Sequence, residues 1–509
     1  MADKCHIGFN KKNIMIRHSI TLIILLLLSK SIISQHTFEN IISESEDQMI
    51  NQIIEDSSGK YIMAGRYLDS ETSNFRGYIL EIDDTGNLLQ TEIINPSDTT
   101  SSYFYDIHFF NDYFYIIGSV LLENPNITKL WFMKLNSNLE IVDELFLNIP
   151  NGKWFSYMKS IIDSDTNLVI TGYTSRFDTS SSTPINNDPF FYKLSLDGDS
   201  LNSKFMSISF SSLSMSTEII EKANKSGYFA YGNNFTSQLP LFGQRFELSK
   251  SFDSLSIENV PYFLYGYFSA KHLNDTSIIV CGQGGPPDTI PDYSLNVLSQ
   301  TENNTPINYN YFKKSGNVRE YPALCNSIDK HNNNIYVGGT SNFDYSNPFF
   351  STLDSWFHLI KINPDLSPIW EYWYGGNAYY NLYSVLATSD GGCIMVGNRY
   401  DYETQDQERD IYIVKVDSNG LLTWSQEILF NKTESTVYPN PGTDQLNIKT
   451  TINYTYFELI NLNGQVVIRQ NPDNNLSTIN TKSLKSGMYF YRLIDKTNKT
   501  IETGKWIKK

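Results

Sequence analysis

The chain has 509 residues, 40% of them hydrophobic and 14% aromatic, with 34 Tyr and 30 Phe against only 18% charged residues. That length admits more than one domain, and a stock of Tyr, Phe, Ile, Thr and Asn suits half-buried pleated surfaces better than helices, so an all-β protein is expected. The formal charge of −16 divides into +4 over the first 34 residues, +5 over the last 74 and −25 between them; a body this acidic repels a phosphate backbone and excludes nucleic acid as a partner.

Lys11, Lys12 and Arg17 precede the apolar run Ile20 to Leu28, which gives way to the small and polar residues Ser29 to Gln35. This is the layout of a secretory signal peptide over residues 1–34, with an apolar core too short to span a membrane comfortably. The mature chain is expected to begin near Gln35, and Met15 is an alternative start.

From Ser43 to Phe430 one pattern recurs. Its clearest copy runs Leu382-Tyr-Ser-Val-Leu-Ala-Thr-Ser-Asp-Gly-Gly392, Cys393-Ile-Met-Val-Gly397, Asp410-Ile-Tyr-Ile-Val-Lys-Val416 and onward from Leu421. Each clause is five to eight apolar or alternating residues cut by a turn cluster, so one copy is four antiparallel strands. Gly65, Gly118, Gly172, Gly232, Gly282, Gly338 and Gly397 end the second clause at intervals of 53, 54, 60, 50, 56 and 59 residues. Four strands per 50–60 residues is a propeller blade, because one such sheet cannot cover its own faces and must stack on its neighbours. Seven copies predict a seven-bladed β-propeller over residues 35–430. The third clause is ragged around Phe242 to Leu248 and Tyr293 to Leu298, so six or eight blades are the alternatives. Thr37-Phe-Glu-Asn-Ile-Ile42 is a spare strand that could close the ring against the last blade, and each repeated glycine is read as structural, permitting a bulge or a close approach of backbone.

Residues 431–435 form a polar linker, and there the repeat stops. Strands are expected at Leu446 to Lys449, Tyr454 to Asn461, Gln465 to Arg469, Thr478 to Asn480, Met488 to Asp495 and Thr500 to Ile507, which makes residues 436–509 a small immunoglobulin-like β-sandwich. The same stretch carries Val437-Tyr-Pro-Asn-Pro-Gly442, Leu462-Asn-Gly464, Leu484-Lys-Ser-Gly487-Met-Tyr489 and the tail Lys505-Trp-Ile-Lys-Lys509. In that order these motifs resemble the type A C-terminal sorting domain of the bacterial type IX secretion system. The resemblance implies recognition by an outer-membrane translocon, removal by a surface protease and a mature protein that is secreted and either anchored at the cell surface or released. Pro439, Asn440, Pro441, Gly464, Gly487, Tyr489 and Lys505 are the positions that carry this signal.

No specific catalytic motif occurs: there is no HExxH, GxSxG or Walker sequence. Asp163-Ser-Asp-Thr-Asn167 alternates carboxylates as a calcium loop does but lacks its Gly and distal Glu, so a hairpin turn is the better reading. The seven His have no metal-ligand spacing, and neither a cofactor nor a metal is expected. Cys281, Cys325 and Cys393 read as small buried hydrophobes, with one disulfide as the alternative. One pattern points to a ligand: Tyr105, Tyr157, Tyr267, Tyr321 and Tyr383 precede a repeated glycine by 13 to 17 residues, at the start of an innermost strand. There they would either line the mouth of the central channel, as a sugar- or peptide-binding surface, or wedge between blades as core. The expected activity is binding, adhesion or scaffolding without catalysis, toward a glycan or protein ligand. The alternative is an extracellular glycosidase or lyase whose carboxylates come from different blades, with Tyr105-Asp106 and Arg319-Glu320-Tyr321 as the first places to look.

Overall fold

The computed structural model describes residues 35–509 except 45, 123–126, 149–153, 178–183, 207–211, 237–241, 254, 260–265, 285–292, 317, 405–407, 423–434, 451–453, 462–464, 472–475, 495 and 497–499. The expected signal peptide and most of the linker therefore lie outside the described residues. The chain divides into two compact units, Met1–Glu427 and Ile428–Lys509.

In the first unit the strands form seven sheets in chain order, spanning residues 48–94, 99–147, 154–205, 212–259, 266–312, 320–375 and 379–416. We number these blades 1 to 7. In each, neighbouring strands are antiparallel and hydrogen-bonded in chain order, except that in blade 6 both Glu320–Pro322 and Ile328–His331 pair with Asn334–Ser341. Blade 7 supplies only three strands of its own; its fourth is Phe38–Ile42, which pairs with Asp410–Val416 from Phe38 opposite Lys415 to Ile42 opposite Ile411. The spare N-terminal strand thus closes the ring, and the ring has seven blades. The C-terminal residues of the body are held by the N-terminal ones: Gln35 donates to the Asp390 carbonyl at 2.7 Å, and Lys415 to the His36 carbonyl at 2.9 Å.

A single four-stranded sheet leaves both faces in water, and here each face is covered by the next blade. Seven buried apolar clusters lie one at each junction, from Ile62, Ala64 and Ile79 with Phe104 and Trp131 between blades 1 and 2 to Ile50, Met63 and Leu80 with Val396 and Ile413 between blades 1 and 7. Because the second and third strands are covered on both sides, they read as unbroken apolar runs instead of alternating ones.

Most of the repeated glycines face a bulge, whereas Gly172 and Gly338 are crowded by the side chains of Phe190 and Val385. The innermost strand of blade 1 carries one extra residue, Asn51, between Ile50 and Gln52, and Gly65 sits opposite Ile50. A Cβ on Gly65 would lie 1.9 Å from the Met49 carbonyl oxygen, and one on Gly397 would lie 2.0 Å from that of Asn381. Bulges recur at Phe104/Asp106, Ser216/Glu218, Tyr267/Ser269 and Leu382/Ser384, facing Gly118, Gly232, Gly282 and Gly397. Each bulge twists its strand and pushes one residue out of the ladder.

The second unit packs a three-stranded sheet (Ser435–Tyr438, Gln445–Thr450, Leu476–Asn480) and a four-stranded one (Val466–Gln470, Tyr456–Ile460, Gly487–Ile494, Thr500–Lys508) around Leu446, Ile448, Phe457, Leu459, Leu493 and Trp506. This is the expected sandwich. Ser435 already pairs with Thr450, so the first strand begins there.

Candidate functional site

The innermost strands leave one edge of each blade facing the channel, with backbone groups that no further strand can satisfy. Side chains next to the bulges take that role. Asp106 of blade 2 accepts hydrogen bonds from the Ser160 N–H at 2.7 Å and hydroxyl at 3.0 Å in blade 3. Glu218 of blade 4 accepts from the Ala270 N–H at 3.4 Å, Ser269 of blade 5 from the Ser327 N–H at 2.8 Å, and Asp329 of blade 6 from the Ala387 N–H at 2.8 Å. Asn51 donates to the Phe104 carbonyl at 2.6 Å, Ser384 to Gln52 Oε1 at 2.5 Å, and Gln52 in turn to Asp106 at 3.2 Å. A belt of side chains thus ties most of the innermost strands to their neighbours.

The electrostatics follow from this use. Burial alone would raise the Asp106 carboxyl; Lys159, His108 and the Ser160 N–H outweigh it and hold the group well below the usual carboxylate range. Glu218 goes the other way, because burial outweighs the attraction of Lys271 and Lys159. Lys271 is raised: burial opposes its charge, but Glu218, Asp329 and Asp106 more than compensate. Burial pushes the Cys325 thiol up to about 11 and that of Cys281 up to about 12, so neither is a thiolate at neutral pH. The three described cysteines are free. Asp163 to Asn167 is a hairpin turn, with Asp163 Oδ1 accepting from the Asp165 and Asn167 N–H groups and Oδ2 from the Tyr228 hydroxyl at 2.6 Å.

The five predicted tyrosines do not form one group. Tyr267 is buried between blades 4 and 5, edge-on to Tyr231 at 5.3 Å, and Tyr383 is the buried bulge residue of blade 7. The side chain of Tyr157 lies outside the described residues. The other two are half-buried, Tyr105 midway along Thr99–Phe110 and Tyr321 in the short strand Glu320–Pro322, and they belong to separate aromatic groups. Tyr105, the bulge residue of blade 2, stacks on Tyr103 at 6.3 Å, and Tyr103 packs on Phe75 at 5.4 Å. The Arg66 guanidinium lies 4.6 Å from the Phe75 ring and 5.6 Å from that of Tyr103, and its Nε has no hydrogen-bond acceptor among the described residues. Tyr321 stacks on Phe343 at 4.3 Å and meets Phe268 and Tyr345, with Arg319 over Tyr293 and Tyr345. Sequence reasoning missed Arg66, Phe75, Phe343 and Tyr345, because they come from second strands, third strands and the loops between them, where no repeat marks them.

Glu320, beside Tyr321, is buried with His358. The ring of His358 is 3.0 Å from Glu320 and 2.7 Å from Glu371, and it stacks on Trp373 at 4.9 Å. Burial lowers the His358 basicity, but the two carboxylates more than restore it, and its pKa is raised.

In the C-terminal unit the signal positions cluster at one end. The Pro439 carbonyl accepts from the buried Trp506 indole at 2.8 Å, Asn440 Oδ1 accepts from the Ile507 N–H at 3.0 Å, and its amide donates to the Lys505 carbonyl at 2.7 Å. The Tyr-Pro-Asn-Pro start and the basic tail are therefore neighbours. Tyr489 is buried and donates to the Lys485 carbonyl; Gly487 has a φ of 155°, and Gly464 lies outside the described residues. Residues 436–509 match the family described as secretion system C-terminal sorting domain. The C-terminal unit is this sorting domain. It marks the protein as secreted, attached to the cell surface or released, and implies interaction with the type IX secretion machinery.

No curated protein matches the chain. Among solved structures, a phage phi92 endosialidase is similar at 10% identity with a TM-score of 0.39, over 94% of this chain and 90% of that one. U3-55K is similar at 8% and 0.42, over 74% and 98%. The β-propeller domain of the Trilobed protease from Pyrococcus furiosus is similar at 8% and 0.42, over 77% and 100%. Likeness at that level says nothing of activity.

Proposed function

We propose that the protein is a surface-displayed propeller that binds a glycan or protein ligand without catalysing a reaction, and that the half-buried aromatic groups around Tyr103–Tyr105 and Tyr321 are its contact surface. The observation that supports this best is how the ionisable groups of the channel are used. A general base needs a free lone pair and a general acid a proton it can give up. Asp106, Glu218 and Asp329 each spend an oxygen on a backbone N–H of the next blade. The mouth offers what a binder needs: flat, half-buried rings that lose little entropy on contact, with the Arg66 guanidinium packed over Phe75 and Tyr103. In the same proposal residues 1–34 are a cleaved signal peptide, 35–430 the propeller, and 431–435 the linker at which a surface protease separates it from the sorting domain.

Glycan-array screening of the secreted protein, followed by Arg66→Gln and Tyr103→Ala, tests the reading. Retained glycan or protein binding that these substitutions weaken, with no turnover of common polysaccharides, is expected. A second reading, an extracellular glycosidase or lyase, draws on the Glu320–His358–Glu371 arrangement. Polysaccharide cleavage abolished by Glu371→Gln would replace the first reading with it.

A further inference from the structure

The sorting domain presents an apolar strip that its own fold does not use. Along Gly487–Ile494, Tyr489, Tyr491 and Leu493 point into the sandwich, whereas Met488 and Phe490 point outward and are 39% and 45% exposed. Phe490 lies opposite Ile460 on one side and Lys505 on the other, and Ile460 lies opposite Val466. Val466 and its neighbour Val467 are 46% and 37% exposed. On the propeller, by contrast, exposed apolar residues such as Leu89, Ile141, Leu201, Ile257 and Ile369 are spread over the outermost strands of different blades, and scattered exposure of that kind needs no explanation.

The next row of the same sheet face is charged. Glu458 holds Arg469 at 2.7 Å and Arg492 at 2.7 Å, leaving that row with a net positive charge; Lys505 flanks the strip on the far strand. The whole domain carries ten Lys/Arg against five Asp/Glu. A contiguous exposed apolar strip rimmed by charge is the kind of surface that interaction sites present.

We infer that this strip of Ile460, Val466, Val467, Met488 and Phe490 is the face by which the export machinery grips the sorting domain, and that the matching surface on the machinery is apolar with an acidic border. The inference rests on the sorting-domain assignment and adds to it a location and a partner chemistry. The motif residues Pro439, Asn440 and Tyr489 then serve a different purpose, since they hydrogen-bond within the domain and shape the sandwich that displays the strip.

The test is export of the full chain carrying Phe490→Ser, Val467→Ser or Met488→Ser, with Leu89→Ser on the propeller as control, read as the ratio of surface plus medium to periplasmic protein. Each substitution alters an outward-facing side chain that is more than a third exposed and outside the core cluster, so the Tm of the purified variants should fall little; if one falls markedly, the other two decide. An aromatic at the centre of a contact patch should cost about tenfold or more in the exported ratio, with smaller losses for Val467 and Met488. Wild-type export of all three would overturn the proposal. So would concentration-dependent dimerisation abolished by Phe490→Ser with export unaffected, which would make the strip a self-association surface. Deletion of 436–509 separates the levels: export without the domain would refute the assignment itself, whereas trapping by deletion with normal export of the three variants refutes only the location.

Discussion

Asp47 and Arg409 sit at the seam where the ring closes, and removing one of them measures whether that seam is sealed. Arg409 donates through Nε to Asp47 Oδ1 at 2.7 Å and through Nη2 to Oδ2 at 2.5 Å, its N–H adds a bond at 3.0 Å, and both side chains are buried. The guanidinium also lies 5.0 Å from the Phe350 ring. Asp47→Ala leaves a buried cation with no carboxylate, which should cost about 3–5 kcal/mol. Were the seam open to water, the same pair would behave as a surface ion pair worth about 0–1 kcal/mol. Urea unfolding of the secreted protein, followed by tryptophan fluorescence, distinguishes the two. The expected result is a lowered midpoint corresponding to several kcal/mol, with most of it recovered in Asp47→Leu/Arg409→Met, since a well-packed apolar pair replaces a buried ion pair at little cost. A loss below about 1 kcal/mol for Asp47→Ala would refute the closed seam, because only a solvated pair is that weak.

Gly397→Ala should destabilise the propeller by about 1–3 kcal/mol or more, as overpacking does, since its Cβ would meet the Asn381 carbonyl oxygen at 2.0 Å; an unchanged urea midpoint would show that the bulge yields freely. His358 has a raised folded-state pKa, so its contribution is complete below its unfolded value of about 6.5 and is lost as pH rises through the folded one. Urea midpoints should accordingly fall on going up in pH across that window, and His358→Gln should flatten the fall; a wild-type midpoint that rises there would contradict the sign. Asp106 is shifted down, so its share is present above about pH 3.9 and lost below it, and Asp106→Asn should shift the acid-unfolding profile, measured by circular dichroism, less with pH than wild type. Removing 436–509 should leave the protein in the periplasm, as cell fractionation would report.

The parts of the fold that were legible in the sequence are those fixed by local chemistry repeated many times. Second-strand runs such as Tyr61 to Gly65 are apolar throughout because both faces are covered, and Gly65, Gly118 and Gly397, which end three of them, are demanded by a carbonyl oxygen beside the neighbouring bulge. The third strands of blades 4 and 5 looked ragged for a reason that only the tertiary structure supplies. Arg245 interrupts the apolar pattern of Phe242–Ser249 yet is buried, donating to the Glu302 carbonyl at 2.6 Å and to Glu258 at 2.7 Å over the Phe229 ring. In Ser294–Thr301, Ser294 donates to the Gly284 carbonyl at 2.7 Å and Asn296 to the Tyr309 hydroxyl at 2.9 Å. A buried polar residue with its partners in place packs as a core residue does, but hydropathy cannot see the partner. Blade 6 hides a further irregularity: its innermost strand breaks after Pro322 and resumes at Ile328, and in between Cys325 and Asn326 donate to the Tyr383 carbonyl of blade 7.

The tyrosines show why the site was less legible than the fold. The repeat reads Tyr105, Tyr267 and Tyr383 alike, at the start of an innermost strand, but the structure puts only Tyr267 there, with Tyr105 midway along Thr99–Phe110 and Tyr383 midway along Tyr379–Ala387. What separates them is which way the bulge turns the side chain and what the next blade puts against it. Tyr267 meets Tyr231 and is sealed, and Tyr383 is buried where the blade 6 excursion crosses over it. Tyr105 meets Tyr103 and the Ser119 hydroxyl and stays half open. Near-equivalent positions of the repeat therefore come to differ among the described residues, with one aromatic group under Arg66 and another under Arg319. The belt of Asp106, Glu218 and Asp329 ties blades 2, 4 and 6 each to the blade that follows through a backbone N–H, so the positions of these groups are set by the packing of whole blades.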